Sequence, residues 1–243
     1  MDILGLNFRG NIGPMKVKNS FLDRSFVFEG LDPELVNTLR FVATVHTVDQ
    51  GEILFQAGDD STGFYSVVDG LLKISVTSDD GQERLIAIIG PDDIVGEMGV
   101  VDGLPRSADV TALRASELAH IRKADFEAIA QANPSLYQHI LRALSGRLRQ
   151  ANDAGAARSM LPLEGRLAKA LLSLADSFGN DLPDGRTVIR YKITQADIGN
   201  MCGAARENVN RQLGEWRRDG LISKISGYYC LHDKKALGRM AYI

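Results

Sequence analysis

Cysteine is nearly absent from this chain of 243 residues. There are two, Cys202 and Cys230, and they do not form a CxxC pair. That excludes a disulfide framework and makes a reducing compartment the default. No stretch approaches the ~18–20 apolar residues of a membrane span. The first twenty residues lack the apolar centre and cleavage signature of a secretory signal, so a cytoplasmic location without membrane insertion is expected. The chain has no P-loop, no GxSxG and no HExxH, so enzyme activity is not expected. Its four histidines, His46, His120, His139 and His232, are scattered and have no cysteine neighbours at ligand spacing. No metal site and no prosthetic group are expected.

Charge is present and unevenly placed. The net charge is −3, which alone argues against a nucleic-acid binder. From Pro162 onward, however, 13 Lys/Arg face 9 Asp/Glu, whereas the preceding part holds 15 basic and 22 acidic residues. A basic C-terminal unit on an acidic N-terminal unit fits DNA at one end and another ligand at the other. The length accommodates two domains.

Residues 1–20 hold three Gly and a Pro without a clear period, and read as an irregular leader. Residues Leu31 to Arg40 read as a short helix opened by Asp32-Pro33. From Phe41 to Ile121, short β-rich runs (VATVHTV, EILFQ, GFYSVV, LLKISVT, RLIAII, SADVTA, ELAHI) alternate with turn signals such as Asp69-Gly70 and Asp102-Gly103. This pattern predicts a sandwich or barrel. A helix is expected over Ala124–Ala132, broken at Asn133-Pro134. A long helix follows, in which Tyr137, Leu141, Leu144, Leu148, Ala151 and Gly155 recur at spacings of 4 and 3. That is the a/d seam of two packed helices, and a parallel dimer is the expectation; a helix lying on its own domain is the alternative. Leu161-Pro162 marks a boundary. Leu163, Leu167, Leu171 and Leu174 predict another helix, and Thr187–Ile193 a strand.

The next segment carries the firmest signal. Thr194 precedes Gln195-Ala196-Asp197, a start resembling a capping box. Gly203 supplies a turn. Val209, Leu213 and Trp216 then give a second helix an inward face. Its outward face carries Arg206, Glu207, Asn208, Asn210 and Arg211, side chains suited to base edges. Ile222–Ile225 and Tyr228–Leu231 flank a Ser226-Gly227 turn and read as a hairpin wing. A capped helix, a Gly turn, an Arg-bearing helix and a hairpin together point to duplex DNA.

A different chemistry sits in the β-rich part. Gly96-Glu97-Met98-Gly99-Val100 is followed by Arg106-Ser107-Ala108. Gly96 allows close backbone approach, and a short helical turn would aim N–H groups at a phosphate. Arg106 and Ser107 would add a charged fork and a hydroxyl, and Glu97 could accept from a ribose. On the residues alone, an anion pocket and a plain Glu97–Arg106 salt bridge stand equally open.

The stretches VGEMGVVDGLPRSADVTA and ITQADIGNMCGAARENVNRQLGEWRRDGLI resemble the family of the cyclic AMP receptor protein and the fumarate–nitrate reduction regulator. The resemblance runs from about Phe26 to the C-terminus. It implies an α+β chain with a jelly-roll-like β-roll that binds a cyclic nucleotide (21–133), a long dimerisation helix (134–160) and a winged helix-turn-helix (161–243). By position, Glu97 would hold a ribose 2′-hydroxyl, Arg106 and Ser107 the cyclic phosphate, and Gly96 and Met98 would contribute backbone. Arg206, Glu207 and Arg211 would read a TGTGA-like half-site, while Thr194 and Gln195 would touch DNA phosphates. The implied protein is a homodimeric regulator on palindromic DNA, switched by cAMP or cGMP as allosteric effector, with RNA polymerase as a further partner.

Departures from the family pattern are specific. Where the cyclic AMP receptor presents Thr then Ser to the purine, this chain has Ala151 and Asn152. Ala151 offers the base no hydrogen bond; Asn152 can donate and accept, so the choice of nucleotide stays open. Ala205 occupies a cap position that is usually Ser. Asn208 and Asn210 replace small residues, so flanking base preference is expected to differ. The N-terminal cysteines of the iron–sulfur branch are missing. Two other readings stand beside this one: a regulator of the same fold that is constitutive or senses another ligand, and a cyclic-nucleotide module that acts on proteins.

Overall fold

A computed structural model describes residues 30–81 and 83–242. The expected leader over residues 1–20 lies outside the described residues. The first described helix, α1 (Pro33–Val42), begins where Asp32 accepts a bond from the Glu34 amide at 2.9 Å. It places Leu35, Val36 and Leu39 inward.

Six strands follow: β1 (Thr44–Val48), β2 (Ile53–Phe55), β3 (Gly63–Thr77), β4 (Glu83–Ile89), β5 (Ile94–Val95) and β6 (Asp109–Arg122). They pair in the order β1-β6-β3-β4, with β2 on β6 and β5 on β3. The expected runs 63–68 and 71–77 form the single strand β3, and 107–112 and 117–121 fall largely within β6. The Asp69-Gly70 pair is therefore a bulge, not a turn: register shifts on both sides of Asp69. Gly70 has φ +121°, and a Cβ there would run into Ser116, whose hydroxyl accepts the Leu71 amide at 3.1 Å. The glycine answers to close strand packing, which a local turn signal does not distinguish.

Between β5 and β6 lies a one-turn helix, α2 (Met98–Asp102), ended by Gly103 in the left-handed region. Beyond β6, α3 (Lys123–Ala132) leads into α4 (Ser135–Met160), 26 residues long. Phe126 of α3 meets Phe64 and Tyr137 edge-on, each at 5.5 Å between ring centroids, which fixes α4 against the sheet.

The C-terminal unit is built from α5 (Leu163–Phe178), β7 (Gly179–Asp181), β8 (Thr187–Ile189), α6 (Gln195–Cys202), α7 (Arg206–Arg218), β9 (Ile222–Ile225), β10 (Tyr228–Leu231) and α8 (Lys234–Ala241). The strand expected over Thr187–Ile193 is shorter, because pairing with β10 ends early; Tyr191 and Ile193 still turn into the core. The four strands order as β7-β8-β10-β9. The core of this unit, centred on Leu167, Leu171, Leu213 and Trp216, also takes in Leu71 from β3, while Phe178 packs over Gly90. Among the described residues no helix is long and apolar enough to cross a membrane.

Candidate ligand pocket and nucleic-acid interface

The backbone turns at Gly96 with φ +83°. Its carbonyl accepts a bond from Arg106 Nη1 at 2.8 Å, and any Cβ at this position would collide with that guanidinium. Arg106 Cζ also sits over the Phe55 ring, 4.2 Å from the centroid. Ser107 Oγ approaches Met98 Sδ at 3.4 Å. The fold thus brings Gly96, Glu97, Met98, Arg106 and Ser107 to one place. Burial lowers the Arg106 pKa, against the pull of Tyr65, Glu97 and Asp59.

No Glu97–Arg106 salt bridge forms. Glu97 pairs with Arg147 of α4, which also donates to the Ile94 carbonyl. The sequence reading did not single out Arg147. Its signal was a cation one turn beyond Ala143, continuing the inward stripe of Leu136, Ile140 and Ala143 on α4. A cavity of about 660 Å³ opens beside it, between β4, α4, α5 and α6. Arg147 and Ala151 line this cavity, whereas Asn152 is exposed and does not.

Along the expected seam, Leu141 and Leu148 are 52% and 63% exposed. Ala151 and Gly155 are also exposed, and Tyr137 and Leu144 are half-buried against the sensor core. Leu136, Ile140 and Ala143 fill the opposite, inward stripe. One chain therefore satisfies only one of the two apolar faces of α4.

Near the C-terminus, Thr194 and Asp197 form a reciprocal capping box on α6: the Asp197 amide donates to Thr194 Oγ1 at 3.0 Å, and the Thr194 amide donates to Asp197 at 3.3 Å. Thr194→Ala should cost about 0.5–2 kcal/mol, measurable as a lower urea midpoint with unchanged slope. Gly203 then turns the chain with φ +62°. The next helix, α7, buries Val209, Leu213 and Trp216 and leaves Arg206, Glu207, Asn208, Asn210 and Arg211 exposed. As expected, Ala205 gives α7 no side-chain cap. The two atypical asparagines have partners. Asn210 accepts from Gln195 Nε2 at 2.9 Å and so ties α6 to α7, and Asn208 accepts from Arg211 at 3.3 Å. At the turn between β9 and β10, Ser226 and Gly227 both have positive φ, the geometry of a tight hairpin.

Comparison with known proteins follows this division. Residues 45–133 match the cyclic nucleotide-binding domain family, and residues 165–240 match the Crp-like helix-turn-helix domain. The cAMP-activated global transcriptional regulator CRP of Haemophilus influenzae is 32% identical over 180 residues, 73% of this chain and 79% of that protein. The chain belongs to the CRP/FNR family of transcription regulators. A CRP-like cAMP-activated global transcriptional regulator of Mycobacterium tuberculosis is 28% identical over 223 residues, 92% of this chain and 99% of that one. The same fold recurs in FixK2 from Bradyrhizobium japonicum, with a TM-score of 0.75 and 19% identity over 83% of this chain and 98% of that one.

Two atoms in the pocket of this CRP/FNR regulator are unusual. Glu97 is 1% exposed, and its Oε2 has no hydrogen-bond partner; the buried Arg106 Nε has none either. Such groups are costly to leave unmatched. Behind them, His120 stacks on Tyr65 at 4.6 Å. Burial, then the charges of Arg106 and His46, push the His120 pKa below its ordinary 6.5. The neutral imidazole is the folded form. Its contribution to stability is therefore full above pH 6.5 and is lost as the pH falls through the depressed value. A His120→Gln variant should show a shallower drop in Tm between about pH 7 and 5 than the parent.

Proposed function

We propose that this regulator is a homodimer switched by a cyclic nucleotide, with cAMP the first candidate. The observation that carries this reading is the pair of unmatched buried atoms, Glu97 Oε2 and Arg106 Nε. One is an acceptor awaiting a hydroxyl donor, and the other a cationic donor awaiting an anion. A ribose cyclic phosphate presents both groups on one rigid ring. Arg106 and Ser107 would hold the phosphate, Glu97 the 2′-hydroxyl, and the backbone at Gly96 and Met98 would complete the cradle.

Coupling to DNA follows the contacts. Arg147 grips Glu97 from α4, and Arg158, on the last turn of the same helix, donates to the Asn200 carbonyl at 3.3 Å beside Gly203. A ligand that repositions Glu97 pulls on α4 at one end and on the helix-turn-helix at the other. In a dimer, two α7 helices would then settle about 34 Å apart on a palindrome. Arg206, Glu207 and Arg211 would read a TGTGA-like half-site, while Thr194 and Gln195 meet the backbone. RNA polymerase would be the partner that reads the outcome.

The relatives described as cAMP-activated favour cAMP. Ala151, which offers a purine no hydrogen bond, supports a second reading, a regulator of the same fold that is constitutive or senses another ligand. Calorimetric titration of cAMP and cGMP, followed by anisotropy on a palindromic duplex, tests the proposal. Binding of one nucleotide, with DNA affinity raised by it and lost in Arg206→Ala, is expected. Absence of heat from both nucleotides would sink the cyclic-nucleotide switch. Undiminished duplex binding by Arg206→Ala would instead favour a signalling module that acts on proteins.

A further inference from the structure

The cradle at Gly96, Glu97 and Met98 runs directly into α2, a helix of five residues. A helix this short cannot hold itself. Its last four carbonyls have no amide four residues on within the helix. It has no acid in its first turn and no base in its last, and Glu97 makes no capping bond with its side chain. The order of α2 must come from what packs on it.

Two contacts supply that order. Gly99 is buried, and a Cβ there would run into Ser61, so the backbone of α2 lies against the loop before β3. The second contact is a single side chain, Lys123. Its Nζ donates to the Gly99 carbonyl at 3.3 Å and stands close to Gly103, where α2 ends. Its own amide donates to the Thr62 carbonyl at 2.9 Å. Lys123 thus holds the loop before β3 with its backbone and α2 with its side chain.

This lysine is badly placed for its own helix. It is the first residue of α3, where the positive end of the helix dipole disfavours a cation. Its approach to Glu127 is long, at 4.0 Å, and Asp125 is taken by Arg122 at 2.7 Å. For α2 the same charge is well placed, at the carbonyl end of a helix with no cation of its own. The contact across to α2 accounts for the lysine where the local chemistry of α3 does not.

We infer that Lys123 is a positioning residue for the ligand pocket: its ammonium clamps the carbonyl end of α2 and so holds the backbone from Gly96 to Met98 ready for a phosphate. The inference rests on reading that pocket as the cyclic-nucleotide cradle. Lys123 acts through Gly99, one residue beyond Met98. Such preorganisation raises affinity by removing the cost of ordering the cradle on binding.

Three variants of the full chain separate this role from general stability. Lys123→Met keeps the apolar stem and removes the ammonium. Lys123→Arg restores a cation, and Glu127→Gln removes the acid one turn along α3. In calorimetric titrations with cAMP and cGMP, affinity for the nucleotide that binds should fall about tenfold in Lys123→Met, stay within about threefold of the parent in Lys123→Arg, and be unchanged in Glu127→Gln. Without nucleotide, hydrogen–deuterium exchange over Met98–Asp102 should be faster in Lys123→Met and slow again in Lys123→Arg, while β3 and β6 keep the parent rates. The inference is overturned if α2 exchanges equally in Lys123→Met and the parent, or if it exchanges faster with affinity unchanged. Faster exchange throughout the sensor, or an equal loss of affinity in Glu127→Gln, would also overturn it, in favour of general stability or of the ion pair on α3. A parent that binds neither nucleotide defeats the pocket reading instead, and the exchange comparison, which needs no nucleotide, still decides whether Lys123 holds α2.

Discussion

Replacing Arg106 with alanine is expected to weaken cyclic-nucleotide binding by roughly 10²–10³-fold, about 3–4 kcal/mol. The size follows from the setting. The guanidinium is buried, has a single hydrogen bond, to the Gly96 carbonyl, and rests on Phe55. Its remaining donors are free to meet a phosphate in a partly desolvated site, where charge-assisted bonds are strongest. The protein itself loses little, because the side chain leaves behind only that carbonyl and an aromatic face. Calorimetry should therefore show affinity falling by orders of magnitude while Tm in the absence of nucleotide moves by no more than a few degrees. Equal affinity in parent and variant would remove Arg106 from the site.

Leu148→Glu is expected to convert a dimer into a monomer and to lower affinity for a palindromic duplex by at least about 10²-fold. Leu148 is 63% exposed on the unpartnered face of α4, midway along the stripe from Tyr137 to Gly155. Two-fold symmetry would bring the introduced carboxylate against its own copy, so each substitution acts twice. Folding of the single chain should survive, because the inward stripe of Leu136, Ile140 and Ala143 is untouched. Sedimentation equilibrium and anisotropy on full and half sites check both parts. A variant that still sediments as a dimer would relocate the interface.

The helix-turn-helix was legible because its signals are local. Thr194 and Asp197 are three residues apart, Gly203 follows within the same element pair, and Val209, Leu213 and Trp216 share one helical stripe. The β-rich region was legible in class but not in strand count. Gly70 resembles a turn glycine in sequence, and only the approach of Ser116, 46 positions away, makes it a bulge. Arg147 escaped for the same reason: its partner Glu97 lies 50 residues earlier and meets it only once α4 has packed on the sheet. The open choice between an anion pocket and a Glu97–Arg106 pair also depended on α4, since the acid is taken by a third residue. Asn208 and Asn210 stood out as departures from the family pattern. Their partners, Arg211 and Gln195, give them structural work within the reading head.

The insertion of Leu71 into the C-terminal core, with Phe178 packed over Gly90, bears on how such regulators can be recombined. A DNA-reading head excised at Leu161-Pro162 would leave part of its own interior behind on β3. Grafting this head onto a foreign sensor would therefore require a host strand with a leucine-sized side chain and a nearby glycine at matching positions. Exchange between lineages is thereby restricted to sensors that already carry that imprint, so the two halves are expected to be inherited as a matched pair.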